Sequence, residues 1–202
     1  MKSNNLNMFC LTLQPNHLSF IKELEYIPVG LGENIFPDDC FTDKSGENIS
    51  EKNKYYGEYT FHYWLWKNYL NNLNQEWIGF CQYRKFWSLN FSPNDQINSK
   101  NIKEKVLKTI PSEFDKFDVI LGNPFFVNQR KIMKFLKKGL PLVISNPKIL
   151  FKKEARNIKF HFDLMHGRNN LEKAIELLND ENKNDFREFV NNEVSFNPHN
   201  MF

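Results

Sequence analysis

Apolar residues in this chain come in short blocks separated by polar, Asn-rich stretches. Met8 to Leu13 is an apolar run suited to a first core strand. Asn16 or His17 opens a short helix through about Leu24. Tyr26 to Val29 is extended, because Ile27 precedes Pro28, and Gly30 and Gly32 then permit tight or positive-φ backbone. Glu33 to Glu47 reads as a polar loop, with Pro37, Asp38, Asp39 and Gly46 as its turn formers. Ser50 is the expected N-cap of one continuous helix to about Tyr69. That helix is apolar on nearly every side between Tyr59 and Trp66, which predicts burial all round. Trp77 to Trp87 begins as an aromatic, β-branched run, predicts a core strand, and ends on the cations Arg84 and Lys85.

Beyond Trp87 the pattern weakens. Ser88 to Ser99 reads as loop. Ile102, Val106 and Leu107 predict a helix over Lys100 to Thr109, and Phe117 to Leu121 a strand stopped by Gly122-Asn123-Pro124. Asn128 to Lys138 is a basic amphipathic helix by its pattern, and Leu140 to Ser145 a further short strand. Helices are expected over Asn170 to Leu178 and Asp185 to Asn191. Alternating strands and helices predict an α/β fold. A buried helix feeding a strand that delivers charge at its C-terminal end is a common way to build a site in an open α/β sheet.

Composition narrows the function. The 202 residues are 41% hydrophobic and 25% charged, enough for one globular domain with a sizeable core. A net charge of +3 does not make the whole molecule a polyanion binder, and no nucleic-acid recognition motif is present. The three cysteines, Cys10, Cys40 and Cys81, share no metal-ligand spacing and read as inert buried thiols of a reducing cytosol. No apolar run approaches the roughly 20 residues of a spanning helix. The expected location is cytoplasmic, at most peripheral to the inner face of the cytoplasmic membrane. Neither a phosphate-binding G-x-x-x-x-G-K-[ST] loop nor a G-x-G-x-x-G turn occurs.

Three stretches carry a family resemblance. Asn48-Ile49-Ser50-Glu51-Lys52-Asn53, Tyr63-Trp64-Leu65-Trp66-Lys67-Asn68 and Tyr83-Arg84-Lys85 occur in that order. With His161-Phe162-Asp163, His166-Gly167 and Phe196-Asn197-Pro198-His199-Asn200-Met201-Phe202, the chain resembles the bacterial capsular-polysaccharide glycosyltransferases long filed as a domain of unknown function. The resemblance implies a GT-A-like open sheet flanked by helices in a single domain. It also implies transfer of a sugar from a nucleotide-diphosphate donor to a growing surface glycan. Relatives continue past Phe202, so their C-terminal portion is expected to be missing here. A non-catalytic module that binds a nucleotide or a partner enzyme is the alternative. The resemblance leaves the oligomeric state open.

Such a transferase must neutralise a diphosphate, by a divalent metal or by Lys and Arg, and an inverting one must deprotonate its acceptor. GT-A enzymes place a D-x-D metal motif at a strand end where this chain has Gln82, a poor metal ligand. Mg or Mn thus stays open as a cofactor, and Arg84 and Lys85 are expected to carry the charge, Arg84 with a bidentate fork. Asn48, Lys52 and Asn53 are further donor-site candidates with Gly30 and Gly32, since phosphates favour helix N-termini. His161, Asp163 and His166 form the best general-base stretch, with Asp163 first choice and Glu58 and Asp118 next in line. On a strand His161 and Asp163 share a face; in a helix Asp163 and His166 are the neighbours. His199 is implied as a metal or phosphate ligand.

Overall fold

The computed structural model describes residues 5–74, 76–89, 96–98, 101–129 and 140–197. Contacts divide the chain into two compact units, one running to Ile120 and one from Leu121 onward.

The first unit is built on a four-stranded parallel sheet. Its strands are β1 (Leu6–Thr12), β2 (Ile27–Gly30), β3 (Phe41–Thr42) and β4 (Trp77–Gln82), in the order β3-β2-β1-β4. Leu11 pairs with Val29 on one side and Gln82 on the other. β1 is buried along almost its whole length, which is why its sequence is a continuous apolar run rather than an alternating one. Its side chains alternate between two cores. Met8 and Cys10 face Ile21, Leu24 and Tyr26 on one side. Phe9 and Leu11 face Phe61, Trp64 and Leu65 on the other. Helix α1 (Leu18–Glu23) thus covers one face. Helix α3 (Tyr59–Asn68), reached through the single turn α2 (Asn53–Tyr56), covers the opposite face.

The predicted helix from Ser50 to Tyr69 is broken. Ser50–Lys52 is a 3₁₀ turn, and Gly57 adopts φ 53° between α2 and α3. Ser50 caps nothing; Asn48 Oδ1 accepts from both the Ser50 amide and its hydroxyl. Nor is α3 buried all round. Thr60, Phe61, Trp64 and Leu65 are buried, while Tyr59 and Trp66 are 50% and 60% exposed. Both faces of α3 are aromatic, so hydropathy alone could not separate them. β3 lies within the stretch expected to be loop, and its two residues are too few to show a period. Lys100 to Thr109 reduces to α4 (Ile102–Lys105), and the expected strand at Phe117 to Leu121 is irregular.

The second unit is mainly helical, with α5 (Leu140–Ser145), α6 (Lys148–Phe151), α7 (Ile158–His166), α8 (Asn170–Ile175) and α9 (Asp180–Asn192). Leu140 to Ser145 is therefore helix, not strand, a reversal to which a short apolar run is prone. Asn157 and Asn179 cap α7 and α9 by accepting from Phe160 N and Asn182 N. Val127, Ile158, Leu171, Ile175 and Val190 form the core. Phe125–Phe126 pairs antiparallel with Ser195–Phe196. The basic helix expected up to Lys138 lies largely outside the described residues. Among the described residues no helix is long and apolar enough to cross a membrane.

Candidate functional site

In an open parallel sheet, ligands bind beyond the C-terminal strand ends, where neighbouring connections leave in opposite directions. Here that point lies between β1, whose chain continues through α1 to β2, and β4 on its other side. A cleft of ≈ 460 Å³ opens there, lined by Thr12 at the end of β1 and Gln14 beyond it, Gln82 at the end of β4 and Arg84 beyond it, and Asn53 and Glu58 from the helical side.

Each wall has a local cause. After β4 the chain makes a tight turn, closed by Gln82 N donating to Lys85 O and Lys85 N donating to Gln82 O. That turn presents Tyr83 and Arg84 at the cleft. Tyr83 is stacked on His17, with ring centroids 3.8 Å apart and planes 13° from parallel. His17 Nδ1 lies 2.7 Å from Thr12 Oγ1, which also accepts from Gln14 N. The ends of β1 and β4 are thereby joined through one aromatic pair.

Gly57 sets the helical wall. Its carbonyl accepts from Asn53 Nδ2 and from Thr60 Oγ1, both at 2.9 Å, and Asn53 Nδ2 also reaches Thr60 Oγ1. These bonds fix the break between α2 and α3 and put Glu58 at the N-terminus of α3. Glu58 is only 5% exposed, yet it lines the cleft. Burial pushes its carboxyl up to about 7, against weaker opposing pulls from its own amide and from Lys85. Asp43, just past β3, is fully buried, and neither of its oxygens is hydrogen-bonded among the described residues. Burial raises its pKa, and the neighbouring Thr60 hydroxyl, which donates to Gly57 O, offsets this only partly.

Of the residues singled out in the sequence, Asn53, Gln82 and Arg84 meet at the cleft, and Gly32 (φ 76°) stands against Leu13 and Asn53. Gly30 serves packing, since a Cβ there would lie 2.3 Å from the Phe36 ring. Asn48 holds a loop, donating to Lys44 O and Gly46 O. Trp64 and Asn68 secure that same loop, through Ser45 O and through both backbone groups of Glu47. Much of the aromatic motif is thus a clamp on residues 44–48. Lys52 is exposed beside the four-residue α2, too short to sum many peptide dipoles. Lys85 is exposed next to the site turn.

His161, Asp163 and His166 belong to the second unit, on α7. Asp163 Oδ2 accepts from Lys159 Nζ at 2.7 Å, and Oδ1 from the Asn169 amide at 3.0 Å. Asp163 therefore ties α7 to the turn after Gly167. His161 packs near Phe125, and the exposed His166 against Phe162. His199 lies outside the described residues. Sequence pattern does not point to Thr12, Gln14 or Lys54, and marks Tyr83 only as the first residue of the Tyr83-Arg84-Lys85 motif; only the strand order reveals that the end of β1 lies beside the end of β4. Glu58 ranks only in reserve by sequence, because a helix continued through Gly57 hides its position at a helix start.

Among the described residues, the donor set of the cleft does not fit a divalent ion. No three of His, Cys, Asp or Glu among the described residues are grouped to hold a metal, and the cleft lining offers one carboxylate, Glu58, beside the amides of Gln14, Asn53 and Gln82.

Comparison with known proteins accords with the architecture. The apo structure of a WbbM bifunctional glycosyltransferase superposes with a TM-score of 0.56 at 20% identity, over 98% of this chain and 33% of that one. This chain thus spans one third of that protein, and the likeness is one of fold. No curated protein matches. A family described as a domain of unknown function, DUF4422, matches residues 11–202. With nearly its whole length inside that match, the chain belongs to this family.

Proposed function

We propose that the chain transfers a sugar from a nucleotide-diphosphate donor to the hydroxyl of a surface-glycan acceptor, with the donor seated in the cleft between the ends of β1 and β4. The observation that carries this reading is the position of Arg84. It stands on a tight turn at the switch point of a parallel sheet, beside a cleft large enough for a small-molecule ligand. In this reading Arg84 grips two phosphate oxygens with its fork, and Lys54 adds a second positive charge at the rim. No step is assigned to a metal. The fold shared with a glycosyltransferase and the family membership support the reading.

Calorimetry with UDP tests it. The wild type should bind, and Arg84→Lys should bind about tenfold more weakly, a loss of about 1.4 kcal/mol, because a point charge cannot replace a planar fork. Equal affinities would remove Arg84 from the donor site. Gln82, standing where a metal-binding carboxylate is expected, favours a second reading in which the cleft binds a nucleotide without turnover. UDP binding with no release of sugar from any UDP-hexose would establish that reading instead.

A further inference from the structure

We propose that Glu58 is the catalytic base of this site, the group that takes the proton from the acceptor hydroxyl as the sugar is transferred. The inference rests on the transferase reading above and names the residue that reading lacks.

Geometry comes first. Among the described residues that line the cleft, Glu58 is the carboxylate, contributed by the helical wall, while Arg84 comes from the turn after β4. A donor whose diphosphate is held at Arg84 and Lys54 would share this one cleft with Glu58. The residue is positioned rather than loosely placed. Asn53 and Thr60 both bond the Gly57 carbonyl immediately before it, and α3 begins immediately after it. The charged groups around it are Lys54 on the preceding helix and Arg84 and Lys85 beyond β4, with His17 held against Tyr83. Asp163, the alternative base, has both oxygens engaged in its own unit.

The step balances without a further reactant. The acceptor oxygen forms a bond to the anomeric carbon while the bond from that carbon to the diphosphate oxygen breaks. The bonding pair leaves with the diphosphate, whose charge Arg84 and Lys54 meet. The acceptor proton passes to the Glu58 carboxylate, which later returns it to solvent. A base works best when its pKa lies near the working pH, and burial sets Glu58 at about 7. Activity should accordingly rise with pH through about 7, as the carboxyl loses its proton.

The test measures UDP release from a panel of UDP-hexoses with octyl hexosides as acceptors, beside UDP affinity and melting temperature. Glu58→Gln should fold and bind UDP as the wild type does, turn over about 10²- to 10⁴-fold more slowly, and lose the rise in kcat/KM near pH 7. Glu58→Asp should keep part of the activity with that limb displaced. An active wild type alongside an equally active Glu58→Gln, or a slow variant that still shows the limb near pH 7, overturns this inference and leaves the transferase reading standing. A wild type that binds no UDP and releases none overturns both.

Discussion

Glu58 and Asp163 are both carboxylates placed on or beside a helix and largely removed from solvent, at 5% and 9% exposure. Asp163 sits within an amphipathic helix, where Lys159 one turn earlier and the Asn169 amide supply a donor to each oxygen. Glu58 sits at a helix start made by a glycine break, with one wall open to a cleft, and burial holds its pKa high. A saturated carboxylate is a structural tie even where, like Asp163, it lines a cleft. A desolvated one facing a cavity is a group with chemistry to do. The sequence favours Asp163 because two histidines flank it, but neighbours in the chain do not tell which donors a fold will bring.

The contrast can be broken by mutation. The largest expected effect is a control inside the first unit. Trp64→Ala should cost roughly 3–5 kcal/mol, because Trp64 is 6% exposed among Phe61, Phe41 and Tyr69 and its indole N–H donates to Ser45 O. Denaturant unfolding measures it. Normal stability with lost UDP binding would make Trp64 a ligand contact rather than core.

Next comes Asp163→Asn, which should destabilise by about 1–3 kcal/mol through loss of a charge-assisted bond. UDP affinity should be unchanged, and turnover per folded molecule should fall less than about twofold, as for a carboxylate whose two oxygens are both engaged within its own unit. A fall of about a hundredfold at full stability, the size expected for a lost base, would return Asp163 to the candidates for that role.

The last change has the opposite sign. The Glu58 pKa is raised from 4.5 to about 7, so its favourable contribution is complete below about 4.5 and is lost as pH rises through 7. Each tenfold change in a protonation equilibrium corresponds to about 1.4 kcal/mol. Glu58→Gln should therefore stabilise the protein at pH 8 by on the order of 1–3 kcal/mol, and do little at pH 4. Melting curves at the two pH values check this. A variant less stable than wild type at pH 8 would mean that Glu58 holds the fold together, as Asp163 does.

How far the sequence can be read follows from the same physics. β1 is legible because a strand buried on both faces must be apolar throughout, β2 because Ile27 precedes Pro28, and β4, with Arg84 after it, because its start is aromatic and β-branched. β3 is not, since Phe41 and Thr42 form a strand only by pairing with Val29 and Gly30. Gly57 is present as a breaker and divides the long helix, because an interior glycine carries the cost of its own freedom. Asn48, Trp64 and Asn68 are visible as a motif, but their work is to clamp residues 44–48, a long-range role that local pattern does not encode. Thr12 and Gln14 become site residues only once the order of strands is known.

The register that joins β1 to β4 sets Cys10 beside Cys81, and Cys40 lies buried just before the edge strand. All three thiols of the chain are thus inside the first unit and none in the second. Hydrogen bonding to Cys10 and burial both push the Cys81 thiol away from its reactive thiolate form. The sheet consequently carries its own chemical clock: alkylation of Cys10 and Cys81, at 0% and 1% exposure, can advance only as fast as the strands that hold them come open.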